Sequence, residues 1–167
     1  MTMSPPVRKA ALVAHVAASV GWIGAILASL VLGVVGVASD DRHVVVAVYL
    51  VLEPLGWYVL IPFSVAALAT GLIQSLGTSW GLLRHYWVVV KLLMNLFATA
   101  VLLLYMRTLT VLADTAWRLD TTGGDLDELR SPSPAVHAAG AIGLLTVALV
   151  LSLYKPRGLT AYGYRRQ

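Results

Sequence analysis

The stretch GLLRHYWVVVKLLMNLFATAVLLLYMR, residues 81–107, decides the fold. Between Trp87 and Met106 it contains one charged residue, Lys91. A hydrocarbon core about 30 Å thick is crossed by about 20 apolar residues in a helix. The stretch therefore predicts a membrane-spanning helix, and it raises the question of what a lysine does a few residues inside one end of it.

Three further segments have the same length and apolar character. The four predicted spans run from about 10 to 38, 55 to 76, 87 to 106 and 135 to 154. Backbone groups cannot stay unpaired in lipid, so each span predicts a helix rather than an isolated strand. Only 12% of the residues are charged, whereas soluble domains carry about 25%. We therefore predict an all-α, four-helix transmembrane bundle, formed by a single domain over 1–167 and embedded in the lipid bilayer as a multi-pass protein of the cell membrane.

The charged residues are distributed unevenly between the connections. Lys plus Arg exceeds Asp plus Glu by four (12 minus 8). Basic residues lie before the first span, between the second and third, and after the fourth: Arg8, Lys9, Arg84, Lys155, Arg157, Arg165 and Arg166. Most acids lie in the other two connections: Asp40, Asp41, Asp114, Asp120, Asp125, Asp127 and Glu128. Because basic loops stay cytoplasmic, both termini are predicted to be cytoplasmic, and this pattern gives no reason to expect nucleic acid as a partner.

The connections between the first three spans carry their own signals. We expect Val44 to Leu52 to form an extension at the outer interface, either tilted or lying flat. A helix break is predicted at Glu53-Pro54, since the residue before proline avoids the helical region. Pro62 predicts a kink in the second span. The stretch RTLTVLADTAWRLD, residues 107–120, is expected to prolong the third helix beyond the membrane.

Ionisable groups inside spans are rare and are functional by default. His15 and Lys91 each lie a few residues inside their spans from the same side, which predicts a similar depth. Asn95 follows Lys91 by one turn on the same face, and Trp22 follows His15 by two turns. The sequence thus predicts a polar cluster of His15, Lys91 and Asn95 with Trp22 nearby. Two plainer interpretations compete: Lys91 reaches back to the headgroups, and His15 only bonds a neighbouring helix.

Haem chemistry suits this cluster. An imidazole inside a membrane bundle is a natural axial ligand for haem iron, and facing side chains of a bundle commonly hold such a cofactor. A nearby lysine can neutralise a propionate or a carboxylate substrate. The roles of three other residues stay open: His43 and His137 as metal ligands or interfacial residues, and Glu53 as a proton-handling acid or a helix start.

Two stretches resemble a known group of membrane proteins. KAALVAHVAASVGWIGAILAS, residues 9–29, resembles the first helix of small four-helix proteins with a histidine followed by Trp and Gly. LATGLIQSLGTSWGLLRHYWVVVKLL, residues 68–93, resembles their second-to-third helix hairpin, with Thr-Gly near the end of helix two and a lysine early in helix three. The group includes the HemJ-type protoporphyrinogen IX oxidases and CopD-like membrane domains. The chain is most similar to the predicted integral membrane proteins of this group, over roughly 9 to 107.

The resemblance implies a bundle that binds haem b. It places His15 as the haem-linked histidine, and so as the metal ligand, and Lys91 as the lysine of helix three. The HemJ-type pattern also has Pro-Arg at the far end of helix one and histidine at the end of helix three, and neither occurs here. The sixth iron ligand is therefore open between Lys91, water and none.

We expect a membrane haem b-binding protein with a redox role. His15, Lys91, Trp22 and Asn95 form the cofactor site, and a porphyrin, a quinone or another membrane protein is the partner. The alternative is a membrane accessory subunit, transporter or assembly factor without a cofactor. A small copper-handling protein is a third option, although cysteine is absent and the four methionines show no paired spacing. Association into a homo-oligomer is a further expectation.

Overall fold

The computed structural model describes residues 3–78, 81–156 and 158–165, and these ranges contain helices and no β-strand. The basic residues Arg157 and Arg166, used above to predict orientation, lie outside them. The helices in chain order are α1 (Pro5–Ala38), α2 (Arg42–Leu55), a π-helical turn (Gly56–Leu60), α3 (Ile61–Gly77), α4 (Tyr86–Thr122), a 3-10 turn (Leu126–Glu128), α5 (Ser133–Tyr154) and α6 (Ala161–Tyr164). The predicted all-α fold is confirmed.

Four helical units are long and apolar enough to cross a membrane: α1, the continuous unit from α2 to α3, α4, and the unit that ends with α5. α1 packs along α2, α3 and α5, and α4 packs along the same three helices. Consecutive units are therefore neighbours, as in an up-and-down bundle. The first and last described residues, Met3 and Arg165, lie at one end, called here the terminal end, and connections 39–41 and 123–132 lie at the far end. The predicted four-helix bundle is confirmed, and the cytoplasmic placement of the termini stays a prediction.

The region around Pro54 differs from expectation. The predicted break at Glu53-Pro54 is wrong, because α2 continues through Pro54 to Leu55. The irregularity follows it as the π-helical turn, in which the Ile61 N–H bonds the Gly56 carbonyl five residues back. Proline has no N–H to give, and a π turn absorbs such a disruption without ending the helix. Pro62 lies in the first turn of α3.

α2 packs against α4 instead of lying flat. α4 has 37 residues, so at 1.5 Å per residue it is about 55 Å long and projects well beyond a hydrocarbon core of about 30 Å. The predicted extension of the third helix is therefore confirmed. Its last turns give α2 an apolar face to cover, and this contact holds α2 in line with α3.

The buried side chains form two clusters. The far-end core joins α2 to the second half of α4 and consists of Val45, Val46, Val48, Tyr49, Leu52, Met106, Leu109, Leu112, Ala116, Leu119 and Leu129. The middle core joins α1, α3, α4 and α5 and consists of Ala18, Trp22, Ala25, Ile26, Leu60, Ala67, Ala98, Ala138 and Leu145.

Polar contacts close both ends of the bundle. At the far end, the Arg42 guanidinium donates to the carbonyls of Leu119 and Gly124, at 2.5 and 2.8 Å. A cation is favourable there because the carbonyls at a helix C-terminus are partly negative. At the terminal end, the chain after α5 folds back onto the connection before α4, and the Thr160 N–H donates to the Arg84 carbonyl.

Candidate functional site

The imidazole of His15 is oriented by α3. Its Nδ1 lies 3.0 Å from the hydroxyl oxygen of Thr70. That hydroxyl lies 2.6 Å from the Ala66 carbonyl oxygen, which can only accept, so the single hydroxyl hydrogen is donated there. The Thr70 oxygen therefore accepts from the His15 Nδ1–H. This network assigns the tautomer and leaves the lone pair on Nε2.

Gly71 lets the α3 backbone approach the same ring. A Cβ atom added at Gly71 would lie 3.2 Å from Cε1 of His15 and 4.0 Å from Nε2. Any larger residue at position 71 would press on the imidazole. Of the three ring atoms near Gly71, Nε2 is the farthest away. The sequence reasoning assigned no role to Thr70 and Gly71. The Thr-Gly pair quoted in the family resemblance was the signal for them.

Lys91 points back along its own helix. Its Nζ lies 5.8 Å from the centroid of the Trp87 ring, one turn nearer the start of α4. Helical side chains lean toward the N-terminus, and an ammonium over an indole face gains a cation–π attraction. The Lys91 charge nevertheless interacts electrostatically with His15. The lysine thus extends toward the terminal end and still contributes charge to the predicted cluster.

Two buried polar atoms on α4 have no partner in the described part of the chain. They are Oδ1 of Asn95 and Oγ1 of Thr99, one turn apart on the same face. Asn95 makes no hydrogen bond to His15, so the predicted cluster is brought together only in part. Unpaired buried polar atoms are uncommon in proteins and mark positions where a ligand or water completes the hydrogen bonding.

A cavity of about 290 Å³ lies inside the bundle, toward the far end. Trp22 lines it, whereas His15, Lys91 and Asn95 do not. The four predicted site residues therefore divide between a polar site near the terminal end and the wall of this cavity. The other lining residues are Ile26, Ser29, Leu52, Leu60, Phe97, Ala98, Val101, Leu102, Tyr105, Leu109, Pro134, His137, Ala138, Gly140, Ala141 and Leu144.

A stacked pair of rings forms the polar edge of the cavity. The rings of Tyr105 and His137 lie 3.9 Å apart at 18°. The Tyr105 hydroxyl donates to Oγ of Ser133 over 3.1 Å. Nδ1 of His137 lies 2.9 Å from the Ser133 carbonyl oxygen, which only accepts, so Nδ1 carries the hydrogen and Nε2 the lone pair. The sequence left His137 open between a metal ligand and an interfacial residue, and it gave no indication of Tyr105 and Ser133.

The remaining ionisable candidates do not join either site. Oε1 of Glu53 accepts from the Thr110 hydroxyl over 2.6 Å. Glu53 lies in the last turn of α2, so it does not start a helix. His43 lies at the start of α2, exposed and away from the cavity lining. Within residues 3–78, 81–156 and 158–165, no group of three or more His, Cys, Asp or Glu residues could hold a metal ion.

No protein-family model, no curated protein and no solved structure matches this chain. Its function is therefore inferred from the two sites. The first offers a fixed imidazole with a free Nε2, a nearby cation and unpaired polar atoms. The second offers an apolar cavity with a hydrogen-bond acceptor at its edge.

Proposed function

We propose that this integral membrane protein binds haem b with Nε2 of His15 as the axial ligand of the iron, and that it has a redox role. The observation that supports this is the hydrogen bond that fixes the His15 Nδ1–H on Thr70. Histidines that ligate metals almost always donate their other ring N–H to a protein acceptor, which fixes the tautomer and the ring orientation. A haem bound there supplies one-electron chemistry, whose potential is tuned by the axial ligand and its surroundings.

The other residues of the site fit an anionic, partly polar cofactor. The Lys91 ammonium provides a positive charge near His15 that attracts a propionate. Asn95 and Thr99 place unpaired polar atoms on the face of α4 that continues from Lys91. Trp22 lines the cavity and lies two helical turns after His15. The donor set fits a haem with one protein nitrogen, and the sixth position stays open between Lys91, water and none.

The competing function is an accessory subunit, transporter or assembly factor without a cofactor. Two contacts favour it: Nδ1 of His15 already bonds Thr70, and Lys91 already lies over Trp87. Both side chains then serve only to join helices and to reach the interface. Under this alternative, the protein binds another membrane protein, or a second copy of itself, through its apolar faces.

The experiment that separates the two is an absorption spectrum of the purified chain, recorded oxidised and then reduced with dithionite, before and after haem b is added. We expect a Soret band with α and β bands on reduction. A flat spectrum after haem is added, from protein with full helical circular dichroism, would contradict haem binding and favour the accessory role. Co-purification of a colourless chain with another membrane protein would support the same conclusion.

A further inference from the structure

The cavity has the size and access of a binding site for a lipid-soluble molecule. Its volume of about 290 Å³ is about twice that of an engineered cavity, about 150 Å³, that admits benzene. Phe97 on α4 and Gly140 on α5 both line it and are both exposed on the outer surface of the bundle. The cavity therefore opens between α4 and α5, on a surface whose neighbouring side chains are apolar.

The lining is apolar except at one edge. No charged residue lines the cavity. At the Tyr105–His137 edge, the hydroxyl hydrogen of Tyr105 and the Nδ1 hydrogen of His137 are both donated to Ser133. What this edge presents is the acceptor nitrogen Nε2 of His137. His137 is exposed on the apolar outer surface of the bundle and also lines the cavity. An acceptor surrounded by apolar walls and lipid favours a ligand that brings its own O–H donor, because an acceptor left unpaired in such surroundings is costly.

We propose that the cavity binds a phenol: a molecule of one or two fused aromatic rings that enters from the lipid and donates its hydroxyl hydrogen to Nε2 of His137. The rings lie against Trp22, Leu102 and Leu144, and the hydroxyl points to the far end. This site is separate from the one proposed for haem, since His15, Lys91 and Asn95 do not line the cavity.

Two probes and three variants test this proposal. The probes are 1-naphthol and naphthalene, which share a two-ring body and differ by the hydroxyl, and their binding to the purified full chain is measured by equilibrium dialysis in one detergent. His137→Phe keeps a ring for Tyr105 to stack on and removes the acceptor. Gly140→Leu adds a side chain at the mouth, and Gly143→Leu is its matched control, since added Cβ atoms at Gly140 and Gly143 meet nothing within 4 Å and Gly143 does not line the cavity.

We expect 1-naphthol to bind the unmodified chain. It should bind His137→Phe about fivefold more weakly, which is the effect of losing one hydrogen bond. Naphthalene, which has no hydroxyl, should bind His137→Phe and the unmodified chain equally. Gly140→Leu abolishes binding of both probes and Gly143→Leu preserves it. Equal loss in the two glycine variants would overturn the location, and 1-naphthol binding unaffected by His137→Phe would overturn the role of the acceptor. Binding of 1-naphthol persists in His15→Ala, so its outcome is independent of the haem proposal.

Discussion

The far-end core and the middle core are built from different residues. In the far-end core, the bulky side chains of Val45, Tyr49 and Leu129 are completely buried, and the outer faces of the same helices carry charges such as Asp114 and Arg118. In the middle core, five of the nine residues are alanines, namely Ala18, Ala25, Ala67, Ala98 and Ala138. Around them, the side chains that face outward are apolar, with Val13 at 68%, Val20 at 64% and Leu104 at 71% exposure.

This difference indicates that the two regions lie in different solvents, water at the far end and lipid around the middle. Burial of large apolar side chains under a charged surface is the pattern that water enforces. In lipid, helices gain nothing by hiding apolar groups, so small residues dominate and let backbones approach. At Gly21, for example, an added Cβ would lie 2.6 Å from Cε1 of Phe63 on α3. We infer that the far end is held by hydrophobic burial, while the middle is held by close packing of helices around small residues and contains the cavity.

The largest stability effect is therefore expected at the far end. Leu129→Ala removes a side chain with 0% exposure and should lower the free energy of unfolding by about 2–5 kcal/mol. Leu153→Ala, at a residue with 71% exposure on the apolar outer surface, should change it by less than about 0.5 kcal/mol. Reversible unfolding in mixed detergent micelles measures both. Equal effects of the two variants would mean that the far end has no core of the kind described.

The next effect concerns the polar site of His15 near the terminal end. Thr70→Val removes the acceptor for the His15 Nδ1–H and should weaken haem b binding about 10- to 100-fold, the usual cost of losing the partner of a metal-ligating histidine. Thr70→Ser retains the hydroxyl and should bind like the unmodified chain. Affinity is measured by titration of haem followed at the Soret band. If Thr70→Val binds as tightly as Thr70→Ser, the orientation of His15 by α3 is not what creates the site.

A smaller effect is expected where Arg42 holds the end of α4. Arg42→Met removes two hydrogen bonds to the carbonyls of Leu119 and Gly124 and should cost about 1–2 kcal/mol of unfolding free energy. The haem titration should be unchanged, because the contact belongs to the far end alone. A change in haem affinity without a change in stability would show that the two regions are coupled, contrary to this account.

The smallest effect is expected for the exposed ion pair of Arg118 and Glu128, which are 2.7 Å apart with side chains 59% and 52% exposed. Glu128→Gln should change the free energy of unfolding by at most about 0.5 kcal/mol, and added salt should remove the difference. An effect as large as that of Leu129→Ala would contradict the view that burial, rather than charge, holds the far end.

The four-helix bundle was predicted from features that extend over whole segments of the sequence. The number of helices follows from apolar length, which depends on the bilayer alone, and the extension of α4 follows from its uninterrupted helical pattern. The packing of α2 on α4 was not predicted, because it depends on shape matching between segments about sixty residues apart. The continuation of the helix through Pro54 depends on a compensating π turn, and no residue type in the sequence predicts such a turn.

The candidate site was predicted in part. The similar depth of His15 and Lys91 predicted that they form one cluster, but depth gives no direction for a side chain. Trp87 lies one turn before Lys91, and this spacing is the feature of the sequence that indicates which way the Lys91 side chain points. Asn95 lies on the predicted face without reaching His15. The cavity and its Tyr105–His137 edge arise where four helical units meet, and such a meeting cannot be located from any single segment.

The most direct measurement is a haem titration of the unmodified chain beside His15→Ala and His137→Ala, followed at the Soret band. Each variant removes one imidazole from the helical bundle, so a general loss of packing affects both alike. The account predicts that the unmodified chain and His137→Ala bind haem b and that His15→Ala does not. A Soret band that survives His15→Ala, or one that disappears equally in both variants, would contradict ligation by His15.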